Sequence, residues 1–438
     1  MSESAVDLGL DLNDATPLVV RGDAVETRGQ IAARSNALLA SLREGNISRL
    51  LVRSDDPVHI LRSIDAAARA GADLWIAHTA LPDAEIDDIV ARFGVQLVTS
   101  EVDQLVSAPS SSEGGEPAQG RVYMMTSGTT GKPKIAAHSL ATLARRMRTA
   151  VDMPQNREGK WLLTYQPTGF AGIQVQLTAA LSRGQIVVPL QRNPSGFYQA
   201  ALTHGVTQIS ATPTFWRSFL MVAEPGKPAL RQITLGGEAA DQATLDRNRA
   251  AYPAARVTHI YASTEAGVVF AVHDGLTGFP AAWLEQDVQG IQVRIRDDML
   301  QIKNPNAMRR YVSDNAQPLL DDGWLQTADR CEIIEGRVKV LGRQDATINV
   351  GGSKVYPLQV ETFLLGIAGV REARVFAVPN PVAGQLVGAE VVLEPGQDPA
   401  EARPRILAEC RAQLAGYQVP RSFKIVDAIT VAASGKKG

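Results

Sequence analysis

From Tyr123 to Lys134 the chain reads Tyr-Met-Met-Thr-Ser-Gly-Thr-Thr-Gly-Lys-Pro-Lys. Hydroxyls at Thr126, Ser127, Thr129 and Thr130 crowd together with Gly128, Gly131, Lys132 and Lys134. A short apolar run, residues 122–125, precedes them and reads as a buried strand. A polyphosphate needs this set: hydroxyl donors, bare backbone that can approach closely, and cationic charge. It is not the common P-loop, whose glycines are five apart; here they are three apart and Pro133 follows the lysine.

Further segments extend the pattern. Leu235-Gly-Gly-Glu-Ala-Ala240 follows a candidate strand, so Gly236 and Gly237 let a flat ring lie against bare backbone. His259-Ile-Tyr-Ala-Ser-Thr-Glu-Ala-Gly267 brings an aromatic (Tyr261), hydroxyls (Ser263, Thr264) and a carboxylate (Glu265) to a strand end, where open α/β sheets bind ligands. Asp329 closes Gly323-Trp-Leu-Gln-Thr-Ala-Asp and is an acid suited to sugar hydroxyls. Arg343 and Asp345 open a segment that reaches the turn Val350-Gly-Gly-Ser-Lys354. The last residues, Ser434-Gly-Lys-Lys-Gly438, present Lys436 beside a flexible glycine. Singly, Asp329 and Arg343 read as a turn acid and a surface base; in series they read as parts of one site.

The elements that must position these groups alternate. Strand-like runs at 50–52, 74–76 and 95–98 flank helical patterns at 58–70 and 84–93, and Ile31, Ser35, Leu38, Leu39 and Leu42 share a helical face. Residues 108–120 read as a polar connector. Candidate strands resume at 161–165, 185–188, 208–210, 232–235 and 257–261. This alternation predicts an α/β fold with parallel sheets covered by helices. Beyond residue 288 short strands at 293–295, 300–302, 333–334 and 339–341 predict a small β-rich subdomain. From about residue 344, helices at 358–365 and 400–414 mix with strands at 373–378 and 389–393, a smaller α+β domain. The expected division is 1–343 and 344–438.

Bulk properties narrow the classes. The 438 residues exceed one ordinary core. A formal net charge of −2 gives no general field for nucleic acid or an anionic membrane. No apolar run approaches the roughly 18 residues of a membrane span, and the start lacks a signal-peptide pattern. Two cysteines, Cys331 and Cys410, make no disulfide framework, and no Cys/His cluster has metal-ligand spacing. A reducing cytoplasm is the expected compartment.

In order and spacing these motifs resemble the adenylate-forming (AMP-binding) superfamily of acyl-CoA synthetases, aryl and acyl acid ligases and nonribosomal adenylation domains. The resemblance runs from about Thr16 to the last residue, and departs from the family pattern at Ile135 and Ala328, each where a glycine is usual. It implies a two-step reaction: a carboxylate attacks the α-phosphorus of ATP to give an acyl adenylate and pyrophosphate, and a thiol then displaces AMP. On the matching positions it implies that residues 126–134 cradle the β- and γ-phosphates, Thr264 contacts the α-phosphate and Glu265 ligates Mg2+. It further implies that Gly237, Glu238 and Tyr261 form the adenine slot with Ser263 beside it, and that Asp329 and Arg343 hold the ribose. Lys436 then bridges carboxylate and phosphate oxygens, Asp345 is the hinge, and Gly351, Gly352 and Lys354 line the pantetheine tunnel.

The acid pocket implied by the same resemblance is lined by Tyr165, Gln166, Phe170, Gln174, Gly236, Ala262, Gly267 and Val268. No acid occurs from Trp161 to Gln191. A buried ammonium would lack a counter-ion there, so an aryl or short-to-medium acyl acid is expected rather than an amino acid. The thiol acceptor is coenzyme A, or the phosphopantetheine of a carrier protein acting in trans. An alternative from another class is a catalytically weak nucleotide- or acyl-adenylate-binding regulator.

Overall fold

The computed structural model describes residues 8–100, 105–107, 118–126, 134–143, 156–222, 225–312, 320 and 322–430. Two large sheets organise the N-terminal part. The first has eight strands in the order Gly267–Val272, Arg256–Ser263, Gln232–Leu235, Gln208–Ala211, Lys160–Leu162, Gln185–Val187, Pro17–Arg21, Ala24–Thr27. Its interior pairs are parallel, while the two outermost pairs are antiparallel. The second has seven strands, with Arg310–Tyr311, Lys134–Ser139 and Arg121–Thr126 beside the parallel set Asp73–Ala77, Arg49–Arg53 and Leu97–Ser100.

Helices Arg28–Glu44, Pro57–Ala70 and Phe170–Leu181 belong with strands of both sheets to one continuous apolar cluster that includes Leu18, Leu38, Leu50, Ile60, Ile173 and Ile186. Their ends are written locally. Asp56 accepts from the Val58 amide at 2.8 Å ahead of Pro57, and Gly71 stops the helix in the left-handed region at φ +68°. The β-rich part is an antiparallel five-stranded sheet, Phe279–Pro280, Arg337–Arg343, Leu325–Ile334, Met299–Lys303 and Gln292–Arg296.

The smaller C-terminal domain has its own sheet, built on the long hairpin Val370–Asn380 and Gly384–Leu393, and two helices, Pro357–Gly366 and Pro399–Gln413. Its apolar cluster, from Ile348 to Phe423, draws only on its own residues.

Two expected strands differ in extent. The one placed at 161–165 runs only over Lys160–Leu162. Beyond it the carbonyls of Leu163, Thr164 and Tyr165 accept from the Arg192 guanidinium at 3.3, 2.6 and 2.9 Å, which peels the chain away from the ladder and frees Tyr165 to wall a cavity. The strand placed at 95–98 is Leu97–Ser100, because the Val95 amide still serves the preceding helix by donating to the Val90 carbonyl. The hairpin Pro17–Arg21/Ala24–Thr27 was not anticipated; Gly22 turns it at φ +54°. The connector 108–120 lies outside the described residues up to residue 117. Among the described residues no helix is long and apolar enough to cross a membrane.

Candidate functional site

A cavity of about 870 Å³ runs along the strand Arg256–Ser263 of the eight-stranded sheet. Its lining takes every second residue of that strand, Arg256, Thr258, Ile260 and Ala262, and continues to Thr264 and Glu265 beyond it. From Arg256 to Thr264 this is roughly 26 Å at about 3.3 Å per residue. The helix Phe170–Leu181 contributes Phe170, Gln174, Val175 and Thr178 to the wall.

Charge gathers at the Thr264 end. Lys134, Glu265, Arg343 and Asp345 all line it. Arg343 grips Asp345 through a two-pronged fork of 2.9 and 2.8 Å. That fork raises the guanidinium pKa and holds the Asp345 carboxyl below the usual carboxylate range, with Lys134 adding to the second effect. Glu265 accepts from the Tyr311 hydroxyl, and Lys134 Nζ stands 5.5 Å from the centre of the Tyr311 ring. Burial, then the Glu265 charge, pushes the Tyr311 phenol up, so it remains a donor.

The turn carrying Thr264 and Glu265 is tied at successive residues. Ser263 Oγ accepts from the Ala266 amide at 3.0 Å, and the Glu265 carbonyl accepts from the Met308 amide at 2.8 Å. The Thr264 carbonyl accepts from His138 Nε2 at 2.8 Å. His138 is fully buried, and burial lowers its pKa to about 4. The ring is therefore neutral with its proton on Nε2, while buried Nδ1 has no partner among the described residues.

The middle of the cavity is a slot. Tyr165 donates its hydroxyl to the Gly236 carbonyl at 3.1 Å, and burial pushes that phenol up. A Cβ on Gly236 would lie 2.7 Å from Ile260 Cγ1, so only glycine keeps the slot open there. Gly237 follows with φ +85°, in the region that favours glycine. Gln166 is aimed by a residue far away in sequence: its Nε2 donates to Asp55 Oδ1 at 2.7 Å, while Asp55 Oδ2 takes the Thr79 amide at 3.2 Å. An acid thus stands behind the pocket wall, engaged on both oxygens and outside the lining.

Of the expected site residues, Lys134, Tyr165, Gln166, Phe170, Gln174, Gly236, Gly237, Ala262, Ser263, Thr264, Glu265, Val268, Arg343 and Asp345 meet in this one cavity. Glu238, Tyr261, Gly267, Asp329, Gly351, Gly352 and Lys354 lie outside its lining. Glu238 accepts from the amide and hydroxyl of Thr214, at 3.2 and 2.8 Å, at the start of the helix Pro213–Phe219. Tyr261 donates to Asp329 and stacks on Phe270 with 5.5 Å between centroids. Gly351 and Gly352, at φ +55° and +91°, turn the hairpin Ile348–Val350/Ser353–Val355 that carries Lys354.

Residues 127–133 and Lys436 lie outside the described residues, as does the side chain of Thr126. The strands flanking 127–133 are paired antiparallel up to Thr126 and Lys134, and Met125 and Lys134 both line the cavity. Lys134, the first described residue after that segment, stands at the charged end.

Sequence reasoning missed His138, Tyr311 and the residues at the opposite end, Gln232, Arg256, Thr258 and His273. One signal was available for the last group. The strands Gln208–Ala211, Gln232–Leu235 and Arg256–Ser263 begin with alternating polar and apolar residues, whereas a parallel sheet covered on both faces normally reads apolar throughout.

Comparison with known proteins agrees with this geometry. Two family models match in chain order, AMP-binding enzyme over residues 100–312 and AMP-binding enzyme C-terminal domain over residues 359–436. The chain belongs to the adenylate-forming, AMP-binding superfamily. Among curated relatives it is similar to the 2-succinylbenzoate–CoA ligase of Bacillus velezensis, 25% identical with 93% of this chain and 89% of that one covered. It is also similar to the fatty acid–[acyl-carrier-protein] ligase MmaC of Mycobacterium marinum, 27% identical with 93% and 90% covered. Its fold matches ATP-bound MatB from Rhodopseudomonas palustris with a TM-score of 0.78, at 21% identity and with 97% and 94% of the two chains covered.

Proposed function

We propose that this protein is an AMP-forming acid–thiol ligase: it activates a carboxylic acid with ATP to an acyl adenylate and then transfers the acyl group to coenzyme A. The observation that carries the reading is the junction of two unlike spaces. Lys134 and Arg343 stand with the tied Thr264–Glu265 turn at one end of a cavity whose middle is a glycine-floored slot. Acid activation needs that arrangement. It brings a carboxylate and three phosphates together, so cations must be fixed where anionic oxygens meet while the rest of the acid is held away from water.

In this reading the 127–133 segment and Lys134 hold the distal phosphates. The Thr264 hydroxyl contacts the α-phosphate, and Gly236–Gly237 gives the planar base a side-chain-free surface. Tyr261, Asp329 and Arg343 secure the nucleoside, and Lys436 reaches the reacting oxygens from the C-terminal domain. The donor set fits Mg2+ in the way that ion is usually carried with nucleotides, through one carboxylate and substrate phosphates. Glu265 is that carboxylate, and the described residues hold no cluster of three or more metal-ligating side chains. When bound, the ion would neutralise phosphate charge. His138, Ser263 and the Met308 amide do the protein's share by fixing the backbone that carries Thr264 and Glu265.

The two domains meet at the 3₁₀ turn Gln344–Ala346, and we place the boundary after Arg343, with Asp345 as the hinge. Rotation there would exchange Lys436 for the Gly351–Gly352 hairpin between the two half-reactions. The test is acid-dependent exchange of labelled pyrophosphate into ATP across aryl, branched, fatty and dicarboxylic acids. AMP release is then followed with coenzyme A as acceptor. Absence of exchange with every acid overturns the reading. A carrier-protein acceptor is the second reading, favoured by the likeness to an acyl-carrier-protein ligase over nearly the whole chain. Holo-carrier protein in place of coenzyme A separates the two.

A further inference from the structure

The end of the cavity remote from Glu265 is not built for a hydrocarbon tail. Its floor is the polar face of three neighbouring strands, in register as Ser210, Thr234 and Thr258 and then Gln232 and Arg256. The opposite faces of the same strands, Ile209, Ile233, Leu235 and Val257, fill an apolar core. The polarity is therefore confined to the side that meets the cavity. Nearer the Thr264 end the same face turns small and apolar at Gly236, Ile260 and Ala262.

These polar groups form a hydrogen-bonded network. Gln232 Nε2 spends its protons within the sheet, on the Ile233 carbonyl and the Thr234 and Thr258 hydroxyls, each at 3.1 Å, and the Thr258 hydroxyl shares a proton with His273 Nδ1 at 3.0 Å. Burial, with Arg256 and His259 adding, holds the His273 imidazole below the usual histidine range against the nearby Asp274. The neutral ring and the Thr258 hydroxyl together present one further proton, on Thr258 Oγ1 or on His273 Nε2 according to the tautomer. Arg256 lines the same end and supplies a guanidinium. Trp161, only 6% exposed, also lines it, and its indole N–H is buried with no partner among the described residues. The two carboxylates in the described lining, Glu265 and Asp345, are both at the other end. A methyl-terminated chain reaching here would leave the buried Trp161 N–H stranded, at a cost of about 1–3 kcal/mol.

Resting on the ligase reading, we infer that the acid activated by this enzyme carries a hydrogen-bond-accepting oxygen group, a ketone or a second carboxylate, at the end remote from its reacting carboxylate. Arg256, the Thr258–His273 pair and Trp161 recognise that group, with Gln232 holding the Thr258 hydroxyl in place. The distance from Ala262 to Thr258, roughly 13 Å at about 3.3 Å per residue, sets the length of spacer between the two functional ends.

The experiment compares decanoic, 9-oxodecanoic and decanedioic acids, and the corresponding shorter and longer sets, in two arms. One arm is kcat/KM for pyrophosphate exchange; the other is calorimetric binding of each acid to the full chain. Wild-type protein should prefer an oxygenated acid over its methyl-terminated partner by about 100-fold or more at the best length. The ketone and dicarboxylate arms show which oxygen chemistry is read. In Arg256→Leu the dicarboxylate preference should collapse to within about tenfold. Thr258→Val, which keeps the side-chain shape, should reduce the ketone preference in the same direction. Wild-type preference for methyl-terminated acids at every length overturns the inference, and so does an oxygenated preference that survives both substitutions. If exchange fails with all acids while binding still favours the oxygenated ones and depends on Arg256, the ligase reading falls and the recognition site stands. Absence of selective binding in both arms removes the recognition site.

Discussion

Replacing His138 separates its two effects, one on pH dependence and one on the active-site turn. The ring is completely buried against the Thr264 carbonyl, with Phe170 at 5.8 Å between centroids, and burial sets its pKa at about 4 against 6.5 for a free histidine. The hydrogen bond to Thr264 and the charge of Glu265 both favour the protonated ring, yet desolvation outweighs them. The folded-state pKa is depressed below that of the unfolded chain. The unfolded chain therefore binds the proton first as pH falls, and the stability contributed by neutral His138 is complete above pH 6.5 and lost progressively towards pH 4. At pH 4.5 the loss amounts to roughly 2–3 kcal/mol, from the 2.5-unit difference at about 1.36 kcal/mol per unit, less the fraction by which the folded form has begun to titrate. His138→Gln cannot titrate. Urea unfolding of the N-terminal domain at pH 7.5 and 4.5 should show the wild type losing about 2–3 kcal/mol more than the variant over that interval. His259 and His273 are shifted the same way but are common to both proteins and cancel. At pH 7.5 the variant should be less stable, because the Thr264 carbonyl loses its donor or gains a misplaced one, at a cost of about 1–3 kcal/mol. If the two proteins lose stability in parallel from pH 7.5 to 4.5, the neutral-histidine argument is wrong.

Three further outcomes follow from the site. Lys436→Ala should lower acyl-adenylate formation by about 100- to 1,000-fold while leaving thioester formation from supplied acyl adenylate nearly intact; equal loss in both half-reactions would refute domain alternation. Glu265→Gln should raise the Mg2+ concentration needed for half-maximal pyrophosphate exchange, and an unchanged metal titration would remove the ligand assignment. Gly236→Ala should narrow the slot, since the new Cβ would lie 2.7 Å from Ile260 Cγ1 and 3.1 Å from its Cδ1, and the Ile260 side chain must shift to admit it. Its stability should fall by about 1–3 kcal/mol at most, while KM rises more for ring-bearing acids than for slender ones.

What could be read from the chain beforehand was whatever a local pattern writes. The helix Pro57–Ala70 announces itself by Asp56, Pro57 and Gly71, each placed for a stereochemical reason within a few residues. The glycine and hydroxyl run at 126–134 is equally local. His138 was illegible because its partner, the Thr264 carbonyl, is 126 residues away, and nothing near either residue marks the meeting. Asp55 was hidden in the same way: the window from Trp161 to Gln191 holds no acid, and the fold brings one to Gln166 from the other large sheet. The over-long strand at 161–165 had the right composition throughout. What ended it was Arg192 capturing three carbonyls, a side-chain competition that no periodicity reports.

The hinge proposed after Arg343 is also a matter of competing terms. The apolar cluster of the C-terminal domain closes on itself, so among the described residues no shared apolar cluster joins the two domains. Polar ties between them include a hydrogen bond from Ser218 Oγ to the buried Glu372 at 3.0 Å and the ion pair of Arg247 with Glu394 at 3.0 Å, the latter 40% and 31% exposed. The Arg343–Asp345 fork across the turn itself is 58% and 40% exposed. Ion pairs as wet as these are worth about 0–1 kcal/mol each. A ligand therefore needs only a modest preference for one orientation to redistribute the domains: about 1.4 kcal/mol of differential binding shifts the ratio tenfold. The charged end supplies a source for that preference, since Arg343 stands on the N-terminal side of the hinge and Asp345 beyond it, and an anionic oxygen competing for the guanidinium would loosen the fork. In the proposed alternation, these exposed ion pairs would let one phosphate-bearing intermediate hold one orientation and its departure release it.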